Sequence, residues 1–329
     1  MEIASQIILL IVGFVILIKG ADWLVDGASS AASNFKLPKQ LIGLTIVAFG
    51  TSAPELAVSF ASLISGKTDV LIATVIGSNI LNSLLLVGIA AIVCPPIKIK
   101  RTTISKELPL LLLISASMIT LLLDSGIKDI ESITFSRSDA IICLLLFAVF
   151  LYYIINVIKK SRNSKKEYEK PKYKLGKSML FVLLGLAGVV AGGELVVNMA
   201  TTIATGIGVS DRIIALTIIN FGTALPEIVT TITAAKRNES ELLVGNLVGS
   251  NIFNICIVLG LPVALLGTIT LTNFNLVDLM MPIISSAVLW WVSRRGSNGK
   301  DGKILRHEGF FLLLVFLAYY SYVIYGAFA

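Results

Sequence analysis

Ten stretches of the chain run almost uncharged for about the width of a bilayer, and most of the polar positions collect between them. Their rough limits are 3–24, 41–64, 70–94, 107–123, 138–158, 178–200, 212–235, 241–267, 275–293 and 308–328. Each is long enough to cross a hydrocarbon layer of about 30 Å as an α-helix. Segments such as "LPLLLLISASMITLLL" lack the two-residue alternation of barrel strands, so the pattern predicts an all-α integral membrane protein of ten transmembrane helices. The few polar positions inside the apolar stretches are the informative ones. "AFGTSAPE" (Ala48 to Glu55) and "NFGTALPE" (Asn220 to Glu227) each set a glutamate directly behind a proline in mid-stretch.

Composition agrees with the pattern. Hydrophobic residues make up 56% of the 329 and charged residues 14%, and the mean hydropathy is +0.90, more apolar surface than a soluble core hides. The net charge of +7 reflects loop placement. Of 27 Lys and Arg, 22 fall in the alternate loops 25–40, 95–106, 159–177, 236–240 and 294–307. The positive-inside rule then puts both termini outside and makes 159–177 a basic cytoplasmic connector. Docking of anionic lipid or a regulator on that connector is a lesser reading. No basic residue precedes the first stretch, which is expected to stay in the mature chain. Cys94, Cys143 and Cys256 are scattered and read as small buried side chains. The one histidine, His307, is assigned to a charged loop, so the sequence offers no basis for a histidine zinc site or a Ser/His triad. Nothing points to an enzyme, a resident cofactor or a nucleic-acid partner.

The two Pro-Glu motifs belong to a repeat. Gly50 and Gly222 are 172 positions apart, as are Gly77 of "GSNILN" and Gly249 of "GSNIFN". The same offset lays "GADWLVDGA" on "GGELVVNMA" and sets Asp22 opposite Glu194, where surface or capping roles are expected; Asp278, without an acidic twin, reads as a helix-end residue. Five helices separate equivalent elements, and because five is odd the second copy enters from the opposite face. The expected organisation is a first five-helix repeat (1–158), the connector (159–177) and a second, inverted repeat (178–329), an architecture whose substrate site lies where interrupted helices meet near the midplane.

Pro54 and Pro226 remove a backbone donor and clash with the preceding turn, so the second and seventh helices should break there. Irregular backbone inside a membrane is tolerated where it lines a cavity, packs on protein or binds something. Glu55 and Glu227 then fall in the first turn of a half-helix, where the dipole favours a carboxylate. Thr51 and Thr223 lie four residues upstream of them. Ser78 and Asn82, like Ser250 and Asn254, are four apart and on a helix share one face. Two carboxylates with hydroxyls, amides and spare carbonyls suit a hard cation such as Ca²⁺, and Na⁺ can use the same hydroxyls and carbonyls. One Pro-Glu pair is readily a structural hinge. Two at related depths are not, since a mid-membrane charge costs at least about 2.5 kcal/mol.

The paired "G-T-x-x-P-E" and "G-S-N-I-x-N" segments resemble the α-repeats of the cation/Ca²⁺ exchanger superfamily, particularly its prokaryotic Na⁺/Ca²⁺ exchangers, and the resemblance covers nearly the whole chain. It implies a monomeric antiporter with ion sites among the second, third, seventh and eighth helices, and a first and sixth helix that slide to alternate access. It assigns Ca²⁺ to Glu55 and Glu227 with backbone oxygens at Thr51 and Thr223. Sodium falls to Ala48, Ser52, Ser78, Asn82, Ser250 and Asn254. Departures are Ala224, where the first copy has Ser52; Asn220, where it has Ala48; and Asn254, where some members carry aspartate. Two shared carboxylates bind one divalent ion or several monovalent ones, not both loads together, which is the electrostatic basis of exchange. The rival readings are a H⁺/Ca²⁺ antiporter on the same glutamates and, remotely, a passive cation channel.

Overall fold

The computed structural model describes residues 3–126, 133–162, 170–206, 220–271, 276–295 and 299–328. Short strands apart, its regular structure is helical. Among the described residues seven helices are long and apolar enough to span a membrane, or eight if Lys39–Thr51 and Ala53–Ile64, bent by 41° at Ser52, count as one. The predicted stretch 212–235 begins outside the described residues. Predicted outer-loop positions Lys128 and Arg212 also lie outside them.

The chain divides into two compact units, Met1–Glu55 with Lys160–Asn246, and Leu56–Lys159 with Leu247–Ala329. In the first, helix α1 (Ile3–Phe35) is followed by α2 (Lys39–Thr51) and the start of α3 (Ala53–Ile64). A long helix from Leu175 to Gly206 lies along α1. Both long helices outrun the apolar stretches 3–24 and 178–200. The end of α1 is polar but still helical because neighbours satisfy its side chains. Ser30 Oγ accepts from Tyr173 N at 2.9 Å, and Asn34 Nδ2 donates to the Tyr173 carbonyl at 2.8 Å. Hydropathy therefore marks where a membrane would end, not where the helix does.

Glycines fix the seam between these two helices. A Cβ on Gly20 would lie 2.6 Å from Val189 N, and one on Gly192 would lie 2.5 Å from Leu17 N. Gly20 and Gly192 are partners in the 172-residue repeat, and so are Leu17 and Val189, so the contact is reciprocal. Such backbone approach is the use membrane helices make of small residues.

The second unit holds a helix from Thr68 to Val93, one from Leu108 to Gly126, one from Arg137 to Arg162, the latter part of Ser240–Leu266, and two more at Leu276–Arg295 and Arg306–Phe328. In chain order from α3 we number the helices α4 (Thr68–Val93), α5 (Leu108–Gly126), α6 (Arg137–Arg162), α7 (Leu175–Gly206), α8 (Asn220–Thr223), α9 (Leu225–Lys236), α10 (Ser240–Leu266), α11 (Leu276–Arg295) and α12 (Arg306–Phe328). Its core is aliphatic, with Leu71, Ile72, Ile80 and Leu84 of α4 and Ile252, Ile255 and Leu259 of α10 fully buried. His307 sits in the first turn of α12 rather than in a loop. Cys143 and Cys256 are buried thiols and Cys94 is half-buried; none forms a disulfide.

Element order repeats with the sequence. Helices α3 (53–64) and α9 (225–236), and strands β1 (Ile97–Ile99) and β3 (Ile269–Leu271), stand 172 positions apart. Strands β2 (Ile133–Phe135) and β4 (Gly302–Ile304) stand 169 apart, as three residues are lost in between. The pairing crosses over: β1 runs antiparallel to β4 and β2 to β3. Ile97 opposes Ile304, and their repeat partners, Ile269 and Phe135, oppose each other too. Reciprocal pairing of this kind is what a local two-fold axis produces. Each strand pair also joins two loops that the charge pattern put on one side.

Candidate functional site

The Pro-Glu motifs break their helices where the sequence predicts. α2 ends at Thr51 and α3 starts at Ala53, with Pro54 as its second residue and Glu55 in its first turn. In the second copy α8 ends at Thr223 and α9 starts at Leu225, again with proline second and Glu227 in the first turn. Proline fits an early helical position because the N–H there lacks an intrahelical partner anyway. Gly50 abuts the Leu186 side chain and Gly222 abuts Val197, so both breaks press against α7.

Both carboxylates are 1% exposed, and they are close enough to interact electrostatically. Ser52 Oγ donates to Glu227 Oε1 at 3.1 Å. Glu227 Oε2 and both oxygens of Glu55 have no hydrogen-bond partner, leaving three of the four carboxylate oxygens open. Thr51 Oγ1 sits 3.4 Å from the Ala48 carbonyl and 3.4 Å from Asn246 Oδ1. The first unit thus gathers Ala48, Thr51, Ser52, Glu55 and Glu227. It adds Asn246, whose Nδ2 is buried and unpartnered. Sequence reasoning missed Asn246, because its repeat partner is Thr74, whose hydroxyl donates to the Val70 carbonyl at 2.8 Å. Thr223 is half-buried, and Asn220 lies in α8 with its side chain outside the described residues.

Within the second unit the two "GSN" segments build a buried polar cluster. Ser78, Asn82, Ser250 and Asn254 are all buried there. The backbone leading from each serine to its asparagine is α-helical, up to Ile80 in the first copy and Phe253 in the second, as the four-residue spacing predicts. Asn82 lies in a π-helical stretch, Leu81–Leu86, and Asn254 opens another, Asn254–Leu259. The π-turns lie at and after the two asparagines, and π-bulges of this kind are frequent at functional sites. Asn82 Nδ2 donates to Asn251 Oδ1 at 3.1 Å. Asn82 Oδ1 and both amide atoms of Asn254 have no partner.

Two other acids take different places. Asp22 and Asp26, four apart on α1, receive the two arms of the Arg237 guanidinium, so Asp22 is a half-buried ion-pair residue. The sequence did not single out this pairing because it spans over 200 residues and has no counterpart in the other copy: Glu194 is exposed. Asp278, in the first turn of α11, accepts from Tyr319 Oη at 3.0 Å. Among the described residues no three His, Cys, Asp or Glu side chains come together as a metal cluster. The open oxygens belong to carboxylates and amides, ligands suited to hard cations.

Broken helices, paired buried carboxylates and a repeated all-helical membrane fold define an ion-transport protein. The chain belongs to the sodium/calcium exchanger protein family, which it matches over residues 5–156 and 177–325. The putative antiporter CaxA of Alkalimonas amylolytica is 36% identical over 316 residues, 95% of this chain and 96% of that protein. Inner membrane protein YrbG of Escherichia coli is 33% identical over 325 residues, covering 95% and 97%. The sodium/calcium exchanger MaX1 of Methanosarcina acetivorans is 27% identical over 350 residues, covering 96% and 98%. Among solved structures, the sodium-calcium exchanger NCX_Mj soaked with Na⁺ superposes with a TM-score of 0.83 at 28% identity, over 97% of this chain and 99% of that one.

Proposed function

We propose that the protein exchanges Ca²⁺ for Na⁺ by alternating access, with Glu55 and Glu227 as the shared anionic centre. The observation that carries this reading is the pair of buried glutamates within electrostatic reach of each other, three of whose four oxygens are open. A buried unpaired carboxylate is costly, and a divalent cation cancels both charges at once. Backbone oxygens at Thr51 and Thr223 complete the Ca²⁺ set. Sodium is assigned to Ala48, Ser52, Ser78, Asn82, Asn220, Ser250 and Asn254. Ten spans in two inverted halves, 1–158 and 178–329, joined by a cytoplasmic connector at 159–177, place both termini outside, and the monomer is the functional unit. The 172-residue repetition and the reciprocal strand pairing support that symmetry.

The exchange is tested in proteoliposomes. Ca²⁺ uptake is expected under an outward Na⁺ gradient and not under a pH gradient alone. Uptake driven only by the pH gradient overturns the sodium assignment in favour of H⁺/Ca²⁺ antiport, a reading that Ala224 favours by removing one hydroxyl from the sodium set. Flux without any counter-ion marks a channel.

A further inference from the structure

The two asparagines of the "GSN" segments, Asn79 and Asn251, are repeat partners with one sequence context and different wiring. Both are 1% exposed. Asn251 uses its whole amide: Oδ1 accepts from Asn82 Nδ2 at 3.1 Å, and Nδ2 donates to Ser83 Oγ at 2.8 Å and reaches the Asn79 carbonyl at 3.5 Å. Neither amide atom of Asn79 has a partner. The difference passes to the next residue in each motif. Asn82 is held by its NH₂ end and keeps a buried, unpartnered Oδ1, while Asn254 is held at neither end.

An amide side chain has an acceptor end and a donor end of nearly equal shape, and only the oxygen end serves a cation. A free amide can turn its NH₂ group to the ion and repel it. Asn251 removes that choice for Asn82. Its Oδ1 takes the Asn82 NH₂ group, and its own orientation is set because its Nδ2 faces both the Ser83 hydroxyl and the Asn79 carbonyl, which can only accept. We propose that Asn251 is a positioning residue that locks the Asn82 amide with its oxygen available to a monovalent cation, and that the second half has no equivalent lock. The cation role of Asn82 rests on the exchanger reading above; the lock itself rests on the hydrogen bonds.

The test uses the full-length protein with N251A, N79A, S83A, N82A and N82A/N251A, reconstituted for Na⁺-driven Ca²⁺ uptake and, in detergent, titrated calorimetrically with NaCl and with CaCl₂. N251A is expected to raise the apparent KM for Na⁺ about tenfold with little change in the KM for Ca²⁺, and N79A to change either by less than about twofold. In the N82A background, N251A should add nothing, since a residue acting through another is silent once that other is gone. S83A leaves the fold lightly touched and loosens the Asn251 amide, so a smaller rise in Na⁺ KM is expected should N251A not fold. Equal effects of N251A and N79A, additive effects of N82A and N251A, or an S83A variant identical to wild type each overturn the proposal. Failure of the exchanger reading shows differently, as wild-type protein without Na⁺-driven uptake, and the Na⁺ titration of the same variants still reads the lock.

Discussion

The two copies of the Pro-Glu motif fold alike and are wired differently. Both break a helix at the same place, set proline second in the following helix and bury a glutamate in its first turn. Yet Glu227 accepts the Ser52 hydroxyl at 3.1 Å, while Glu55 accepts no side-chain hydrogen bond. The cause is one residue. Ser52 of the first copy serves the glutamate of the second, and its repeat partner is Ala224, which has no hydroxyl to return. Backbone conformation follows the shared Gly, Pro and Glu positions; hydrogen bonding follows the residues that differ. Asn79 and Asn251 show the converse, since identical residues are wired unequally by their surroundings.

The largest effects should ignore this asymmetry. Glu55→Gln and Glu227→Gln each remove a charge that a divalent ion needs. Losing one member of a buried charged set commonly costs about 3–5 kcal/mol, so Ca²⁺ exchange should fall at least about a hundredfold in radiolabelled uptake. Near-normal flux in either variant breaks the two-carboxylate site. A clear inequality between them, with Glu55→Gln the worse, would instead sharpen the contrast between an anchored and an open carboxylate.

Next comes the seam of α1 and α7, where the halves are equivalent. Gly20→Leu and Gly192→Leu each drive a side chain into backbone at 2.6 Å and 2.5 Å, which nothing flexible can relieve. Overpacking costs about 3 kcal/mol at the upper end of its usual range. Both variants should lose detergent-extracted monodisperse protein to a similar degree, whereas Gly77→Ala, whose Cβ meets nothing within 4 Å, should be neutral. Unequal losses in the two leucine variants would show that the seam is not reciprocal.

How much of this was legible beforehand follows from the range of each interaction. The helix breaks, the buried glutamates and the repeat offset depend on local chemistry and on register, and the sequence carries both. The length of α1 was missed because its polar end is held by Tyr173, far along the chain. The π-helical stretches at Asn82 and Asn254 were missed because the spacing of each serine and asparagine is α-helical and carries no mark of the wider turn that follows. Asn246 was missed because its repeat partner is a threonine, and the Arg237 clamp because it joins residues more than 200 apart.

A subtler change tests the asymmetry directly. Ser52→Ala removes a hydrogen bond to a charged group, worth about 1.5–3 kcal/mol in general, so the apparent Na⁺ affinity should fall about tenfold. Ala224→Ser supplies the missing hydroxyl and should raise Na⁺ affinity by a smaller factor. If Ser52→Ala leaves the Na⁺ dependence of uptake unchanged, the hydroxyl is structural and the copies are functionally equal despite their wiring.

The smallest effect belongs to Lys172, which has no counterpart in the other half. Its ammonium donates to Asp26 Oδ2 at 2.8 Å while the side chain stays 60% exposed. The Asp26 hydrogen bond pushes its pKa up. A raised lysine pKa means that the charged form is favoured by folding, so this contribution is complete below the unfolded value of about 10.4 and fades as pH climbs through the folded one. At neutral pH it is therefore fully present, and for an exposed pair it amounts to less than about 1 kcal/mol. Asp26 keeps the Arg237 guanidinium in any case. Lys172→Met should accordingly lower the thermal midpoint by a degree or two at low salt, and the difference should vanish at 1 M NaCl, where screening acts over about 3 Å. A larger or salt-independent shift would mean that Lys172 holds the connector to α1 by packing its stem rather than by charge.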